Sequence, residues 1–437
     1  MSVRDESHYD VLFEPGLLAR YGTVLRGVVG DARPFVLTDR RVHRLYGRRL
    51  FDALRSAGYA PELLVVPDGE RSKSMASFAK LLDRLAELQC DRRTVLICFG
   101  GGVISDTGGF VASAYMRGIP YVNFSTSLLG QIDACVGGKV AVNSRFAKNM
   151  IGAFYHPKLV AGDPELLSTL AWRDFKSGLA EGIKVAIIGV PELFEFIERE
   201  QAAIRARDPV VMNHVIGVAT EKKMDWINLD PYEVDLRRPL NFGHTLGHPI
   251  ETEFGYKGIR HGEAVAIGMG VATCMALQKG MIDQAAAERI WDILQAYDLL
   301  GFSEPIRPDS VLEHVRYVKL IRGRELHFVL PLKVGEVVIT PDVCDADIVH
   351  GFEHYDRVVH ARLGGPKSVS VDAPMKAAAD RSDGSGGNGS NGNGHAAGEP
   401  EVVLEPQPRA RRTTDPTPRA ARGEPKDSRA PEAGRQA

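Results

Sequence analysis

Cysteine is scarce in this chain of 437 residues, with five in all and none in a CxxC pair. Cys90, Cys98, Cys135, Cys274 and Cys344 are odd in number and widely spaced. That argues against a disulfide framework and for reduced thiols in a cytoplasmic protein. Net charge is missing too. At −2 the chain has no global field to draw it to nucleic acid or an anionic membrane, so any anion site must be local. No apolar run suggests a membrane span, and the opening MSVRDESHYDVLFEPG lacks an apolar signal core.

What is present describes a soluble chain: 44% apolar, 25% charged, mean hydropathy −0.14. The length is too great for one compact core and predicts two domains plus extras. PFVLTD (34–39), ELLVVPDG (62–69), TVLICFGGG (94–102) and PYVNFS (120–125) are apolar runs of strand length. Helical spacing fills 74–88 and 103–118 between them. This alternation predicts a doubly wound parallel sheet. Beyond Leu166 helical periodicity dominates, over 173–189, 191–205, 208–227, 261–281 and 283–298, with a short strand pair near 327–341. From about Gly364 the chain turns to Gly, Ser, Asn, Pro and Arg, with few groups able to form a core. The expected organisation is an α/β nucleotide-binding domain (1–166), a mainly helical domain (167–363) and a disordered tail (364–437).

Several stretches carry chemistry. CFGGGVISDTGGF (98–110) follows a strand and opens a helix. Glycines there let backbone N–H groups approach a pyrophosphate, although GxGxxG is absent and a plain Gly-rich turn is the bland reading. PDGERSK (67–73) places Glu70 and Lys73 where they could grip an adenosine ribose. In STSLLGQIDACVGGKVAVNSRFAKNMIGAF (125–154), Asp133, Lys139, Asn143, Lys148 and Asn149 lie among glycines and small apolar residues. Lysines lining a pocket would suit a phosphorylated or carboxylated substrate. GLAEGIKVAII (178–188) sets Glu181 and Lys184 three apart in an apolar helix. A buried carboxylate needs a partner, and a metal or Lys184 would serve.

NFGHTLGHPIETEFGYKGIRHGEA (241–264) places three of the chain's 13 histidines close together. His244 and His248 share one helix face, and His261 opens another helix. A glutamate with two histidines and an open position suits a catalytic zinc-type site. Spacing alone leaves open which two histidines bind metal and which one is left for acid–base or phosphate work.

GGGVISDTGGF, YMRG, QIDACVGGKVAVN, AKNMIGAF, LAEGIK and NFGHTLGHPIE…HGEAVAIGM resemble, in order, the motifs of the dehydroquinate synthases, which are sugar phosphate cyclases. The resemblance covers roughly residues 10–360. It implies a Rossmann-like nucleotide-binding domain followed by a helical one, and a homodimer. It further implies that Glu181, His244 and His261 bind a divalent metal, zinc or cobalt, with His248 near the reacting group and substrate phosphate. Arg117, Asp133, Lys139, Lys148, Asn149, Lys184, Lys223, Arg237, Asn241 and Lys319 fall at substrate-contact positions. Lys139, Lys184, Lys223 and His248 are the catalytic candidates among these residues. Asp39, Glu70, Lys73, Gly101, Gly102, Asp106, Thr126 and Ser127 fall in NAD-binding segments, joined by Lys139 and Lys148. The implied reaction takes a heptulosonate 7-phosphate through oxidation by NAD, loss of phosphate, reduction, ring opening and an internal aldol closure, so NAD is regenerated.

The chain departs from the family pattern in places. Ser125-Thr126-Ser127 stands for Pro-Thr-Thr, Ser105 for a glycine, and Val318-Lys319-Leu320 for Asp-Lys-Lys. Related cyclases acting on sedoheptulose 7-phosphate alter the carboxylate-binding region, whereas Arg237 and Asn241 remain here. A carboxylated substrate is therefore expected, and its aminated analogue would fit the same residues. The competing readings are a cyclase of specialised metabolism (an aminodehydroquinate or valiolone-type synthase), a metal-dependent NAD polyol dehydrogenase, and a non-catalytic scaffold.

Overall fold

The structure is a computed structural model that describes residues 8–144, 148–230, 238–255, 258–302, 304, 306–322 and 326–364, and these lie in one compact unit. The tail expected from 364 onward falls outside the described residues after Gly364.

The N-terminal half is built on β1 (Asp10–Phe13), β2 (Arg33–Asp39), β3 (Glu62–Val66), β4 (Thr94–Gly100), β5 (Tyr121–Ser125), β6 (Lys139–Val142), β7 (Ile151–Phe154) and β8 (Leu159–Gly162). Six of them form one parallel sheet in the order β1-β8-β5-β4-β2-β3. Both faces are covered, which is why β4 reads as a continuous apolar run. Its Val95, Ile97 and Phe99 enter one core, while Leu96 and Cys98 enter the core on the other face. The four strands foreseen from the sequence are β2 to β5. The strands β1, β6, β7 and β8 have four residues each, too few for a period of two to register. β6 and β7 form a separate antiparallel pair, with Lys139 opposite Phe154.

The chain runs outward from β2 to β3, returns to β4 beside β2, and continues outward to β5 on the other side. Such a reversal opens a crevice at the carboxyl ends of β2 and β4, where ligands of doubly wound sheets bind. The helix expected over 103–118 occupies Gly102–Ala114. It stops because Met116 and Arg117 take φ of 50° and 65°, which no right-handed helix can continue.

The second half is mainly helical, with Trp172–Gly189, Pro209–Leu229, His244–Glu253 and His261–Gln278 at its centre. The helix expected over 191–205 is interrupted at Glu200, giving Pro191–Arg199 and Gln201–Ala206. The predicted strand pair is present as the antiparallel β9 (Phe328–Lys333) and β10 (Glu336–Thr340). The His261 helix is buried continuously from Gly262 to Ala276. A helix apolar on all sides belongs in the middle of a core. Among the described residues no helix is long and apolar enough to cross a membrane.

Asp163, fully buried just after β8, anchors the N-terminal segment to the sheet. Its carboxylate accepts from the backbone N–H of Gly16 at 3.0 Å, Leu18 at 3.1 Å and Glu165 at 3.0 Å. Asp163→Ala strands these donors and is expected to lower stability by about 2–4 kcal/mol, read as a shifted urea midpoint at unchanged slope.

Candidate active site

The buried Trp172–Gly189 helix carries Glu181 and Lys184, and both are nearly or wholly inaccessible. The Lys184 ammonium donates to Glu181 Oε2. The other oxygen, Oε1, is buried and makes no hydrogen bond. It lies 3.4 Å from Nε2 of His244 and 3.4 Å from Nε2 of His261. His248 completes a histidine cluster, its ring centroid 5.2 Å from that of His244 and 5.8 Å from that of His261.

Glycines create this convergence. A Cβ at Gly262 would stand 1.9 Å from the Ser177 carbonyl oxygen, and Gly262 N–H donates to Ser177 Oγ at 2.9 Å. The start of the His261 helix therefore lies directly on the Glu181 helix. Likewise a Cβ at Gly268 would stand 2.0 Å from the Gly243 carbonyl oxygen, so the His244 helix lies directly on the His261 helix. Gly243 itself has φ 78°, a conformation open to glycine. Glu263 fixes the same helix start by accepting from Arg260 N–H at 2.9 Å and from the Arg173 guanidinium at 2.7–3.0 Å.

The imidazole orientations follow from their Nδ1 partners. His244 Nδ1 faces the Phe242 carbonyl at 3.2 Å, and a carbonyl only accepts, so Nδ1 carries the proton. Nε2 of His244 then points a bare lone pair at Glu181 Oε1. Burial, joined by the Lys184 charge, pulls the His244 pKa down to about 3, which keeps that nitrogen unprotonated. Two acceptors facing each other call for a cation between them. His261 Nδ1 faces Glu251 Oε2 at 3.0 Å. Burial pulls its pKa down, but Glu181 and Glu251 outweigh burial and raise it to about 10 in the protein alone. Glu181 is pushed up by burial and pulled further down by Lys184 and the histidines, so it stays ionised. One carboxylate oxygen and two imidazole nitrogens, all within 4.8 Å, form a donor set that a divalent cation fits. The set His248–Glu251–His261 is also close enough, but Glu251 is already satisfied on both oxygens, by His261 and by Lys148 at 3.2 Å.

Other predicted residues gather around this point. Lys223 donates to Asp133 Oδ1 at 2.7 Å, bridging the helical half to the segment after β5. Burial raises the Asp133 pKa, and Lys223 with Lys184 lowers it further, so the net shift is downward. Lys148 reaches Glu251. Asn149, with φ 54°, accepts from the buried Lys73, which also donates to Asp106. Asn241 is half-buried at the end of the turn leading to Gly243, and His248 is exposed. Lys139 at the start of β6 and Arg117 in its left-handed turn are both exposed rather than buried with Glu181. Lys319 lies in the helix Pro308–Arg322, with its side chain outside what the structure describes, and Arg237 lies outside the described residues altogether.

The cofactor candidates line the carboxyl ends of the strands. Gly101 and Gly102 open the Gly102–Ala114 helix without a side-chain cap. A Cβ at Gly101 would meet Ser127 Oγ at 3.0 Å, and Thr126 N–H donates to the Gly100 carbonyl at 3.0 Å. Glu70 accepts from Asn143 at 2.8 Å. Asp106 is held by Lys73, and burial raises its pKa. Asp39 caps its own turn by accepting from Val42 N–H at 2.8 Å. Uncapped helix N–H groups at a glycine turn in the crevice fit a dinucleotide pyrophosphate.

The N-terminal domain family of 3-dehydroquinate synthase matches residues 63–177, and the C-terminal domain family matches residues 178–319. The chain belongs to the 3-dehydroquinate synthase family of sugar phosphate cyclases. A 2-epi-valiolone synthase of Actinosynnema mirum is 43% identical over 320 residues, covering 72% of this chain and 84% of that protein. A 3-dehydroquinate synthase of Koribacter versatilis is 39% identical over 346 residues, 79% of this chain and 94% of that one. Among solved structures, the 2-epi-5-epi-valiolone synthase of Streptomyces hygroscopicus subsp. jinggangensis, with NAD+ and Zn2+ bound, superposes with a TM-score of 0.77. It is 30% identical, and the match covers 82% of this chain and 99% of that one. These matches place the family with the cyclases rather than the polyol dehydrogenases.

Sequence reasoning left out Glu251, Glu263 and Ser177. Glu251 had a readable signal, since it follows His248 by three and His244 by seven and so shares their helix face. Nothing local marked Ser177, whose part depends on the helix packed upon it. Gly262→Ala is expected to cost about 1–3 kcal/mol by overpacking and to displace His261 from Glu181. Gly217→Ala, in open space on an exposed helix face, should leave stability equal or slightly higher. Melting curves and zinc titrations of the two variants check this contrast.

Proposed function

We propose that the chain converts 3-deoxy-D-arabino-heptulosonate 7-phosphate to 3-dehydroquinate and phosphate, with NAD used catalytically and a divalent cation, zinc or cobalt. The observation that carries this reading is the Glu181–His244–His261 centre with its unmatched acceptors, set beside Lys148, Lys184 and Lys223. NAD is assigned to the crevice formed by Asp39, Glu70, Lys73, Gly101, Gly102, Asp106, Thr126 and Ser127. When bound, the two cofactors supply reversible oxidation of a substrate alcohol and polarisation of the resulting ketone.

The chain's own residues perform the remaining tasks. Lys139, Lys148, Arg117 and His248 hold the phosphate through charge-assisted hydrogen bonds. Arg237 and Asn241 take the carboxylate, the arginine by its planar fork. Lys184 sets its ammonium against Glu181 and beside the reacting oxygen, where a developing alkoxide gains most from it. The Lys223–Asp133 pair, Asn149 and Lys319 orient the ring hydroxyls. Oxidation acidifies the neighbouring C–H, and the leaving phosphate carries that proton away. Ring opening and aldol closure follow in the same pocket. A homodimer belongs to the same proposal.

A second reading rests on the 43% identity to a 2-epi-valiolone synthase. It makes sedoheptulose 7-phosphate the substrate, with a hydroxymethyl group where the first reading has a carboxylate. Arg237 favours the acid, because a guanidinium can grip a carboxylate through two parallel hydrogen bonds and a hydroxymethyl group through only one. The aminated analogue of the heptulosonate would satisfy the same groups.

The deciding experiment measures phosphate release with NAD+ and Zn2+ or Co2+ while recording net NADH, with both sugar phosphates offered in parallel. Release from the heptulosonate without net NADH is the expected result. Release from sedoheptulose 7-phosphate alone transfers the chain to the second reading. Steady NADH formation from simple polyols without phosphate release overturns both. His244→Ala is expected to weaken zinc binding by more than about 100-fold, as a directly ligating group should exceed the effect of its outer partners. Metal analysis after dialysis checks it.

A further inference from the structure

Glu251 lies on the His244–Glu253 helix and is nearly inaccessible. Its two oxygens serve different halves of the molecule. Oε2 lies 3.0 Å from His261 Nδ1. Oε1 accepts from Lys148 at 3.2 Å, and Lys148 comes from the segment joining β6 to β7. An ionised carboxylate only accepts, so His261 Nδ1 must be the donor, and Nε2 is turned toward Glu181. His244 is oriented in the same manner, but by the neutral Phe242 carbonyl. The two imidazoles therefore differ. The one backed by a full charge is the stronger electron donor through Nε2. The connection extends further, because Asn149, next to Lys148, is bonded to Lys73, and Lys73 to Asp106 of the glycine helix.

We propose that Glu251 is a positioning residue for the metal centre. It fixes the tautomer and ring orientation of His261 and raises its strength as a ligand, while Lys148 draws on the same carboxylate from the nucleotide-binding half. This rests on the cation reading given above. Glu251 is a less suitable ligand itself, since both of its oxygens are engaged, whereas Glu181 Oε1 has no hydrogen bond.

The test is a Co2+ titration of the full chain, following affinity and the visible absorption of the bound ion. Glu251→Gln keeps the shape but loses the charge. It is expected to bind Co2+ about 10–100-fold more weakly and to shift the absorption bands. Glu251→Asp retains the charge and should recover part of the affinity, and it carries the test if the amide variant fails to fold. Lys148→Met removes the competing cation and leaves the Glu251–His261 contact in place, so Co2+ affinity should not fall. Wild-type affinity and spectrum in Glu251→Gln overturn the proposal. So does an equal loss in Lys148→Met, which would make Glu251 only a structural bridge between the halves. If the wild-type chain takes up no Co2+, the metal centre falls and this proposal with it. If the wild type binds one ion and Glu251→Gln matches it, only the role of Glu251 falls.

Discussion

The arrangement depends on one buried charge, the carboxylate of Glu181. In a dry core an ionised carboxylate is costly unless opposed by charge and filled with hydrogen bonds. Lys184 meets one oxygen from the same helix, one turn away. The other faces two imidazole nitrogens, one of which has only a lone pair to offer. A cation there would take the bare oxygen of Glu181 and the lone pair of His244 together. The surrounding groups are arranged around that requirement. The Phe242 carbonyl and Glu251 face the imidazole Nδ1 atoms, and Lys223 and Lys148 pair with Asp133 and Glu251.

Bringing three helices to one carboxylate is a matter of backbone distance. Side chains of ordinary size would hold them apart. Gly262 against Ser177, and Gly268 against Gly243, remove that obstacle at the points where the histidines enter. The motif glycines thus belong to packing as much as to turns. The same economy operates in the sheet, where β4 passes through Gly101 straight into a helix that begins at Gly102. The ion pairs Asp133–Lys223 and Lys148–Glu251 tie the strand half to the helices that converge on Glu181.

Much of this was legible from residue order. The apolar runs of β2 to β5 are long and fully buried, and the helices after Leu166 have sustained periodicity, so their positions could be read directly. Short strands, the left-handed turn at Met116–Arg117 and the break at Glu200 left no comparable pattern. In the site, the presence of one glutamate and three histidines was plain, but their division of labour was not. His244, His248 and His261 look alike as letters.

The sequence by itself determined the alternating α/β order, the motif set that marks the family, and the residue types able to hold a cation and a phosphate. These follow from local spacing and side-chain chemistry, which are properties of short segments. The tertiary structure decided which atoms meet: that Oε1 of Glu181 faces two Nε2 atoms, that His248 stands exposed beside them, and that Glu251 backs His261 while holding Lys148. Those pairings join residues as far as 103 positions apart. They are set by where a Gly-on-backbone contact lets one helix rest on another, and no local pattern encodes that distance.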